Sequence, residues 1–278
     1  ANNLSPPTFV RANTLKVDRD RLIRELQEAG LTAGPGRLAP ESVQATGFSN
    51  IAELEAFRLG HFVVQDEASM LPAHVLAPRP GELIYDLCAG LGGKTLHMAA
   101  LMENEGRILA FDIHRQKLEV LGKTAKKLGI TNVNRVQADV ANLDMEFWGK
   151  AQGVLLDAPC SGWGVIRRKP DIRWRSQPDK CHELISLQRQ LLVSAYYCLE
   201  PGGRMVYSTC TVNRGENEDN IAWLQRKYRD LECVDIKDCL PSGVEIYGDV
   251  PDRTLQLLPH RHGTDGFFVA VLKKGSRS

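Results

Sequence analysis

The chain has 278 residues, enough for one globular core and a smaller appended unit. Hydrophobic residues make up 43% of it and charged residues 25%, which is typical of a folded protein and excludes a disordered chain or a fibre. The formal net charge of +1 excludes a protein that binds nucleic acid by bulk charge alone, and the sequence has no apolar run of about 18 residues that spans a bilayer.

The cysteine content indicates a reducing compartment. The chain has seven cysteines, an odd number, and no two of them form a C-x-x-C pair. This pattern argues against a disulfide framework and a zinc site, so a cytoplasmic protein without a metal is predicted. The N-terminus lacks the basic and apolar segments of a signal peptide. It also lacks an initiator Met, which is what we expect of a processed or excised fragment.

The pattern of the chain changes near residue 65, where we predict a boundary between two units. Residues 1–64 read as a short α+β unit, in which an extended segment over residues 9–15 precedes an amphipathic helix near residues 19–29. Residues 65–278 contain apolar runs that alternate with helical segments. The predicted strands cover residues 83–88, 107–113, 133–138, 153–158, 204–209 and 267–272. The predicted helices cover residues 94–102, 115–128, 184–199 and 216–228.

This alternation predicts an α/β fold with a doubly wound, Rossmann-like parallel sheet that helices cover on both faces. The last run, residues 267–272, follows a loop rich in Gly, Asp and Pro and is expected to add an edge strand. In such a sheet, ligands bind outside the carboxyl ends of the strands, at the point where the strand order reverses.

A glycine-rich turn follows the first strand of the larger unit. Residues 86–95 read Asp-Leu-Cys-Ala-Gly-Leu-Gly-Gly-Lys-Thr, and such glycines let the backbone approach a ligand whose negative group meets the helix N-terminus. A P-loop is one alternative, since residues 93–95 match its end and residues 155–157 its acidic strand, but Cys88 stands where its first glycine belongs. A dinucleotide fingerprint is another, but Thr95 stands where its last glycine belongs.

The S-adenosylmethionine version of this βαβ pattern fits the residues best. Its glycines cradle the methionine part of the cofactor, and an acid at the end of the second strand binds the ribose hydroxyls. Asp112 ends the second strand 20 residues after Gly92, the spacing expected of a ribose-binding acid. Asp139 ends the third strand, where it is expected to meet the adenine edge.

Two cysteines follow strands of the predicted sheet. Cys160 comes after the fourth strand and Cys210 after the fifth. If the first, fourth and fifth strands are neighbours, both thiols and the glycine turn open onto one crevice. Asn213 and Glu216 have the spacing of a capping box, so a helix is expected to begin beside Cys210 and to lower the pKa of its thiol.

A methyl donor beside two thiols suggests methylation of cytosine at C5. This carbon is a poor nucleophile until a thiolate adds to C6. Asp157 is expected to hold N3 by a hydrogen bond or proton transfer, and Cys160 to help release the product.

These motifs resemble the Fmu/Sun (RsmB) and Nop2/Sun group of RNA cytosine-C5 methyltransferases, and the resemblance covers nearly the whole chain. The matching segments are Asp157-Ala-Pro-Cys160-Ser-Gly, Ser208-Thr-Cys210-Thr, Phe9-Val-Arg11-Ala-Asn13, Gln65-Asp-Glu-Ala-Ser69, Arg167-Arg-Lys-Pro-Asp171 and the carboxyl-terminal residues 259–268. The resemblance implies that Cys210 is the nucleophile, that Cys160 is the release cysteine, and that the substrate is ribosomal RNA of the small subunit. It also implies a ferredoxin- or RRM-like fold for residues 1–64. The residues that it implies for S-adenosylmethionine are Cys88, Ala89, Gly90, Leu91, Gly92, Gly93, Lys94, Asp112, Asp139 and Asp157.

The sequence departs from the group's pattern at three points. The usual C-A-A-P-G-G-K reads Cys-Ala-Gly-Leu-Gly-Gly-Lys over residues 88–94, without the proline. Trp163 stands where the group usually has a small or aliphatic residue, and it is either a stacking surface for a base or a packing residue. Bacterial members usually carry an N-terminal NusB-like helical RNA-binding domain, and we expect no such domain before Ala1, so the resemblance leaves the target nucleotide open.

Because the net charge is near zero, RNA contact is expected to be local. The expected contact residues are Arg11, Trp163, Arg167, Arg168, Lys169 and Arg173. Aromatic residues among arginines suit unpaired bases and their phosphates, and chemistry on C5 requires a cytosine out of its stack. A monomer is expected.

Two other classes of function stay open. A P-loop NTPase explains the Gly-Lys-Thr sequence but leaves Cys160 and Cys210 without a role. A non-catalytic RNA-binding or assembly protein on the same fold does not need the two cysteines and the glycine turn that this chain retains.

Overall fold

The computed structural model describes residues 6–175, 178–242, 244, 246 and 253–276. The N-terminal elements are β1 (Phe9–Ala12), α1 (Arg19–Glu28), β2 (Thr32–Pro35), β3 (Ser42–Thr46), α2 (Glu55–Arg58) and β4 (Phe62–Val64). The four strands form an antiparallel sheet in the order β2-β3-β1-β4. Helix α1 begins where the Asp18 carboxylate accepts a hydrogen bond from the Arg21 backbone N–H at 2.7 Å, and it buries Leu22 and Leu26 against this sheet.

The larger unit alternates strands and helices, as the sequence predicts. Its elements are α3 (Leu71–Leu76), β5 (Leu83–Asp86), α4 (Gly93–Leu101), β6 (Arg107–Asp112), α5 (Arg115–Leu128), β7 (Val133–Gln137), β8 (Ala151–Asp157), α6 (Ile172–Arg175), α7 (Pro178–Cys198), β9 (Leu199–Thr209), α8 (Glu218–Lys227), β10 (Leu231–Val234), β11 (Leu255–Leu257), α9 (Pro259–His262) and β12 (Phe267–Lys274). Helix α5 has the predicted bounds because Gly129, with a φ of 76°, ends it. Among the described residues, no helix combines the length and apolar character needed to cross a membrane.

The large sheet has the strand order β10-β12-β9-β8-β5-β6-β7, and β11 also pairs with β12. Strands β5 to β9 are parallel, which confirms the predicted doubly wound sheet and makes the first, fourth and fifth predicted strands neighbours. The prediction of an edge position for the last run is wrong, since β12 lies antiparallel between β9 and β10. The first six residues of β12 are all buried, and an uninterrupted apolar run is what a strand buried on both faces requires.

The core consists of two apolar layers, one on each face of the large sheet. Successive residues of a strand point to opposite faces, so Ile84 packs into one layer and Tyr85 into the other. Helices α3, α4 and α5 cover the first face, and α7 covers the second. The carboxyl ends of β5, β6, β8 and β9 therefore meet at one edge, where the loops between strands and helices are exposed.

Candidate active site

Two sulfur atoms meet at the carboxyl ends of β8 and β9. These strands are parallel neighbours with Asp157 opposite Ser208, and the Ala158 N–H donates to the Ser208 carbonyl at 2.9 Å. The segments that follow the strands therefore run side by side. They bring Cys160 Sγ to 3.3 Å from Cys210 Sγ, although 50 residues separate the two cysteines along the chain.

The hydrogen bond between the two thiols sets their protonation. It lowers the pKa of Cys210, helped by the positive charges of Lys94 and Lys169 and opposed by burial and Asp157. The same hydrogen bond, together with burial, raises the pKa of Cys160 well above its ordinary value. Cys210 is thus the member of the pair that ionises first.

None of the other five cysteines shares this property. Burial raises the pKa of each of them, and they are Cys88, Cys181, Cys198, Cys233 and Cys239. The helix expected beside Cys210 begins as a short 3-10 helix, Arg214–Glu216, in which Asn213 accepts a hydrogen bond from the Gly215 N–H at 3.0 Å, and α8 follows from Glu218. The largest cause of the lowered pKa of Cys210 is the neighbouring thiol.

An ion pair lies beside the cysteines. Asp157 accepts a hydrogen bond from Lys94 Nζ at 2.6 Å and another from Ser208 Oγ at 2.8 Å. Burial alone lowers the pKa of Lys94, but the Asp157 carboxylate outweighs burial and raises it. Lys94 Nζ also lies 5.1 Å from the centre of the Phe267 ring, on the strand next to β9.

The glycine turn is closed by the acid at the end of β6. Asp112 accepts hydrogen bonds from the Gly90 N–H at 3.0 Å and the His114 N–H at 2.8 Å. Gly90 and Gly92 have φ values of 56° and 91°, a left-handed conformation that favours glycine. A Cβ on Gly92 would stand 2.5 Å from Leu121 Cγ, so this glycine also allows α5 to pack against the turn.

Two adjoining clefts open at this edge of the sheet. The first has a volume of about 400 Å³, and five of the predicted cofactor residues line it, namely Cys88, Gly90, Asp112, Asp139 and Asp157. The second has a volume of about 300 Å³, and its lining adds Ala89, Leu91, Gly93 and Lys94. Gly92 lines neither cleft and supports the turn from behind. Asp139 also accepts a hydrogen bond from the Ala141 N–H at 3.1 Å.

Sequence reasoning missed several residues that line the clefts. They are Ile113, His114, Lys117 and Leu187 in the first cleft, and Gln65 and Ser69 in the second. Ile113 could have been predicted as a cleft residue, because it directly follows Asp112, the acid at the end of β6. Its side chain is exposed in the structure. Asp86 also lines the second cleft, and burial raises its pKa to about 7. Thr95 is fully buried and donates to Asp86 at 2.6 Å, so this hydroxyl does not face a ligand as that of a P-loop does.

The comparisons with known proteins agree with this geometry. Residues 73–273 match the family described as 16S rRNA methyltransferase RsmB/F, and residues 1–52 match the ferredoxin-like domain of RsmF/B-like methyltransferases. The chain belongs to the RsmB/F family. This membership confirms the predicted family and the ferredoxin-like fold of the N-terminal sheet.

Individual relatives cover nearly the whole chain. It is 36% identical over 273 residues to the probable ribosomal RNA small subunit methyltransferase B of Bacillus subtilis, across 98% of this chain and 60% of that protein. The chain thus spans about 60% of the length of the curated relatives it matches. The structure of NSun6 from Pyrococcus horikoshii with SFG has a TM-score of 0.85 at 26% identity, over 99% of this chain and 93% of that one. A methyltransferase homolog protein from Pyrococcus horikoshii has a TM-score of 0.84 at 29% identity, over 98% and 88%.

The loop that carries Cys160 is held by backbone and carboxylate contacts. The Gly164 N–H donates to the Cys210 carbonyl at 3.0 Å, and the Gly266 N–H donates to the Gly164 carbonyl at 2.9 Å. The buried Glu216 accepts hydrogen bonds from the Ser161 N–H and from Gln188 Nε2, both at 2.9 Å. The predicted capping box is therefore not the main use of Glu216 in this RsmB/F-family chain, because its carboxylate fixes the Cys160 loop.

The structure contradicts the expectation that Arg11 and Arg167 lie on an RNA-facing surface. Arg11 is 2% exposed and donates to Gln65 Oε1 at 2.8 Å and to the Gly93 carbonyl at 3.3 Å; burial lowers its pKa to about 10. The Arg167 side chain is 6% exposed and pairs with Asp265 at 2.9 Å. Both arginines brace the site from inside.

The remaining residues of the predicted RNA contact are closer to solvent. Arg168 pairs with Asp265 at 2.6 Å and with Asp66 at 2.7 Å, so it joins the Cys160 loop to two distant segments. Lys169 and Arg173 are exposed, and Trp163 is half-buried. In the basic segment after Cys160, Arg167 and Arg168 thus form ion pairs, whereas Lys169 and Arg173 are exposed.

Proposed function

We propose that this chain transfers a methyl group from S-adenosylmethionine to C5 of a cytosine in RNA, with small-subunit ribosomal RNA as the substrate. The observation that carries this proposal is the 3.3 Å contact between the Cys160 and Cys210 sulfurs, beside the Lys94–Asp157 ion pair and the two clefts. The names of the relatives, ribosomal RNA small subunit methyltransferases, support the substrate, and the NSun6 structure with SFG supports a small-molecule ligand for this fold.

The first cleft suits the nucleoside part of S-adenosylmethionine. Its wall combines the Asp112 carboxylate, which suits ribose hydroxyls, with the apolar side chains of Ile113, Val140 and Leu187, which suit a purine ring. When it is bound, the cofactor supplies an electrophilic methyl group on a sulfonium. Transfer of this methyl group leaves S-adenosylhomocysteine. The second cleft adjoins the first at Asp157, and the glycine turn that lines it suits the methionine part of the cofactor. The cytosine is proposed to lie next to Asp157 and the two cysteines, where C5 can meet the methyl donor.

Cys210 acts as the nucleophile. Its thiolate forms a bond to C6, the C5–C6 electron pair shifts toward C4, and N3 takes up a proton, so C5 becomes able to attack the methyl carbon. Loss of the C5 proton then restores the C5–C6 double bond and expels the Cys210 thiolate, and N3 gives up the proton that it took up, so neutral 5-methylcytosine is released. The lowered pKa of Cys210 favours the first step because it increases the fraction of thiolate at a given pH.

Cys160 changes its role during this cycle. While Cys210 is free, Cys160 stays a thiol and donates to it. Once Cys210 is bonded to C6, the hydrogen bond that is the largest cause of the raised pKa of Cys160 is lost. The Cys160 thiol then ionises more easily and is suited to accept the C5 proton, which releases the product.

Asp157 and Lys94 handle the proton at N3. Lys94 and Ser208 hold the Asp157 carboxylate in place. This carboxylate accepts a hydrogen bond from the exocyclic amine of the cytosine and relays a proton from the Lys94 ammonium to N3. We also propose that residues 1–64 form an RNA-binding subdomain and residues 65–278 the catalytic domain. The enzyme is proposed to act as a monomer in the cytoplasm, and its free cysteines support a reducing compartment.

Incubation with labelled S-adenosylmethionine and total bacterial RNA, followed by mapping of 5-methylcytosine, tests this function. Methylation of 16S ribosomal RNA is expected, with loss in Cys210→Ser and retention in the matched variant Cys181→Ser. RNA binding without methyl transfer would indicate a non-catalytic assembly protein. A thermal shift with ATP and Mg²⁺, but none with S-adenosylmethionine, would indicate an NTPase.

A further inference from the structure

A buried cluster of three side chains lies behind the glycine turn, outside both clefts. Glu41 comes from the loop before β3, His74 from α3 and His97 from α4. One ligand atom from each residue lies within 4.8 Å of the others. Their side chains are 6%, 11% and 1% exposed, respectively. Three donors from three separate elements thus converge away from solvent.

Hydrogen bonds leave part of this cluster unsatisfied. His74 Nε2 contacts both Glu41 oxygens at 3.0 Å. His97 Nε2 contacts Glu41 Oε1 at 2.6 Å, whereas the buried His97 Nδ1 has no hydrogen-bond partner among the described residues. A buried polar atom without a partner is rare, and it points to a ligand at this histidine.

We infer that Glu41, His74 and His97 form a binding site for a divalent transition-metal ion, with zinc as the best fit. Two imidazoles and a carboxylate are ligands that zinc prefers, whereas magnesium and calcium prefer oxygen alone. Zinc–ligand distances of about 2.0–2.2 Å in a tetrahedron require donors roughly 3.3–3.5 Å apart. The two Glu41 contacts, at 2.6 and 3.0 Å, need to open by less than about 1 Å to reach this spacing.

The neighbouring charges limit the affinity of this cluster for a cation and favour metals that bind strongly to nitrogen ligands. Arg11 interacts electrostatically with Glu41, so an incoming cation meets one carboxylate and one guanidinium. A hard cation that depends on negative charge gains little at such a site. Zinc also forms strong bonds to neutral imidazole and depends less on the net charge.

The position of the cluster indicates what the metal does. Glu41 belongs to the N-terminal unit, whereas His97 lies three residues after Lys94 on the helix that begins in the glycine turn. A metal bound to both residues links the N-terminal unit to the back of the cofactor cleft. The metal therefore joins the two units, with water in the fourth tetrahedral position, and this role is independent of the proposed methyl transfer.

Zinc titration of the metal-free full chain, in competition with a chromogenic chelator, tests the site. About one zinc per chain is expected, with a rise in melting temperature. Glu41→Gln and His97→Gln are expected to weaken zinc binding more than about 100-fold, since even the loss of an outer-shell partner costs 10–100-fold. Glu25→Gln is the matched control, because Glu25 holds His61 at 2.7 Å without a third ligand and is expected to leave zinc binding unchanged.

Cobalt substitution identifies the ligands independently of stability. A tetrahedral visible spectrum without a thiolate charge-transfer band is expected in the wild type and in Glu25→Gln, but not in Glu41→Gln. No bound zinc in the wild type, or equal binding in Glu41→Gln, would overturn the inference and leave the cluster as a hydrogen-bonded contact. A thiolate band would also overturn it, because the metal would then sit on cysteines such as Cys160 and Cys210.

Discussion

Replacing Cys160 with alanine removes the hydrogen bond that most strongly lowers the pKa of Cys210. A hydrogen bond to a charged group contributes about 1.5–3 kcal/mol, and a thiol is a weak donor, so the lower end of this range applies. Since about 1.4 kcal/mol corresponds to one pKa unit, the pKa of Cys210 is expected to rise by about one unit. Below that pKa, the thiolate fraction falls about tenfold.

The rate of alkylation of Cys210 by iodoacetamide, followed by mass spectrometry across a pH series, measures this change. Only the thiolate reacts, so the rate rises through the pKa and reaches a plateau above it. The midpoint is expected to move to higher pH in Cys160→Ala while the plateau stays the same. The Cys181→Ala variant is the control, since Cys181 is not among the groups that act on Cys210, and its midpoint is expected to match the wild type.

An unchanged or lower midpoint in Cys160→Ala would refute this reasoning. It would mean that Lys94 and Lys169, rather than the neighbouring thiol, set the ionisation of Cys210. The proposed change of role of Cys160 during the reaction would then lose its basis, although the nucleophilic role of Cys210 would not.

Four further outcomes follow from the same contacts. Cys210→Ala is expected to abolish methyl transfer while calorimetry still detects S-adenosylmethionine binding; retained turnover would exclude the thiolate mechanism. Cys160→Ala is expected to accumulate a covalent protein–RNA adduct, seen as a shifted band on a denaturing gel, and the absence of that band would remove its release role. In Gly164→Ala, the added Cβ overlaps the Gly266 carbonyl oxygen, so urea unfolding is expected to register a loss of about 1–3 kcal/mol, whereas Gly34→Ala has open space and is expected to be nearly neutral. Arg167→Met removes one of the two arginines that pair with the buried Asp265, and because Arg168 still pairs with that carboxylate the variant is expected to cost about 1.5–3 kcal/mol, against less than about 1 kcal/mol for Arg115→Met, whose pair with Glu119 is exposed; equal losses in the two variants would contradict the buried pairing.

Local patterns along the chain determined the elements of the large sheet. Parallel strands buried on both faces require apolar runs, and the runs that became β5, β6, β8 and β9 are recognisable for that reason, whereas β7 is a half-exposed strand at the end of the sheet. The bounds of α5 were predictable because amphipathic spacing and the left-handed Gly129 are both local properties. The glycine turn and the acid that ends β6 were likewise identifiable from spacing alone.

Partners distant along the chain were decided only by the tertiary structure. The neighbours of β12 depend on which strands share its edges, and no local pattern encodes that choice. The sequence identified Arg167 as a cation but not its partner Asp265, which lies 98 residues further on. Arg167 was therefore predicted to contact RNA, whereas it forms a buried ion pair with Asp265.

The chemistry of the site divides in the same way. Residue type and motif pointed to Cys210 as a nucleophile, but the cause of its lowered pKa is a thiol 50 residues away. The cluster of Glu41, His74 and His97 has no sequence motif, because its members come from three elements that meet only after folding. Backbone preferences depend on neighbours along the chain, whereas burial and charge act through space. The pKa shifts and the ion pairs therefore could be determined only from the tertiary structure.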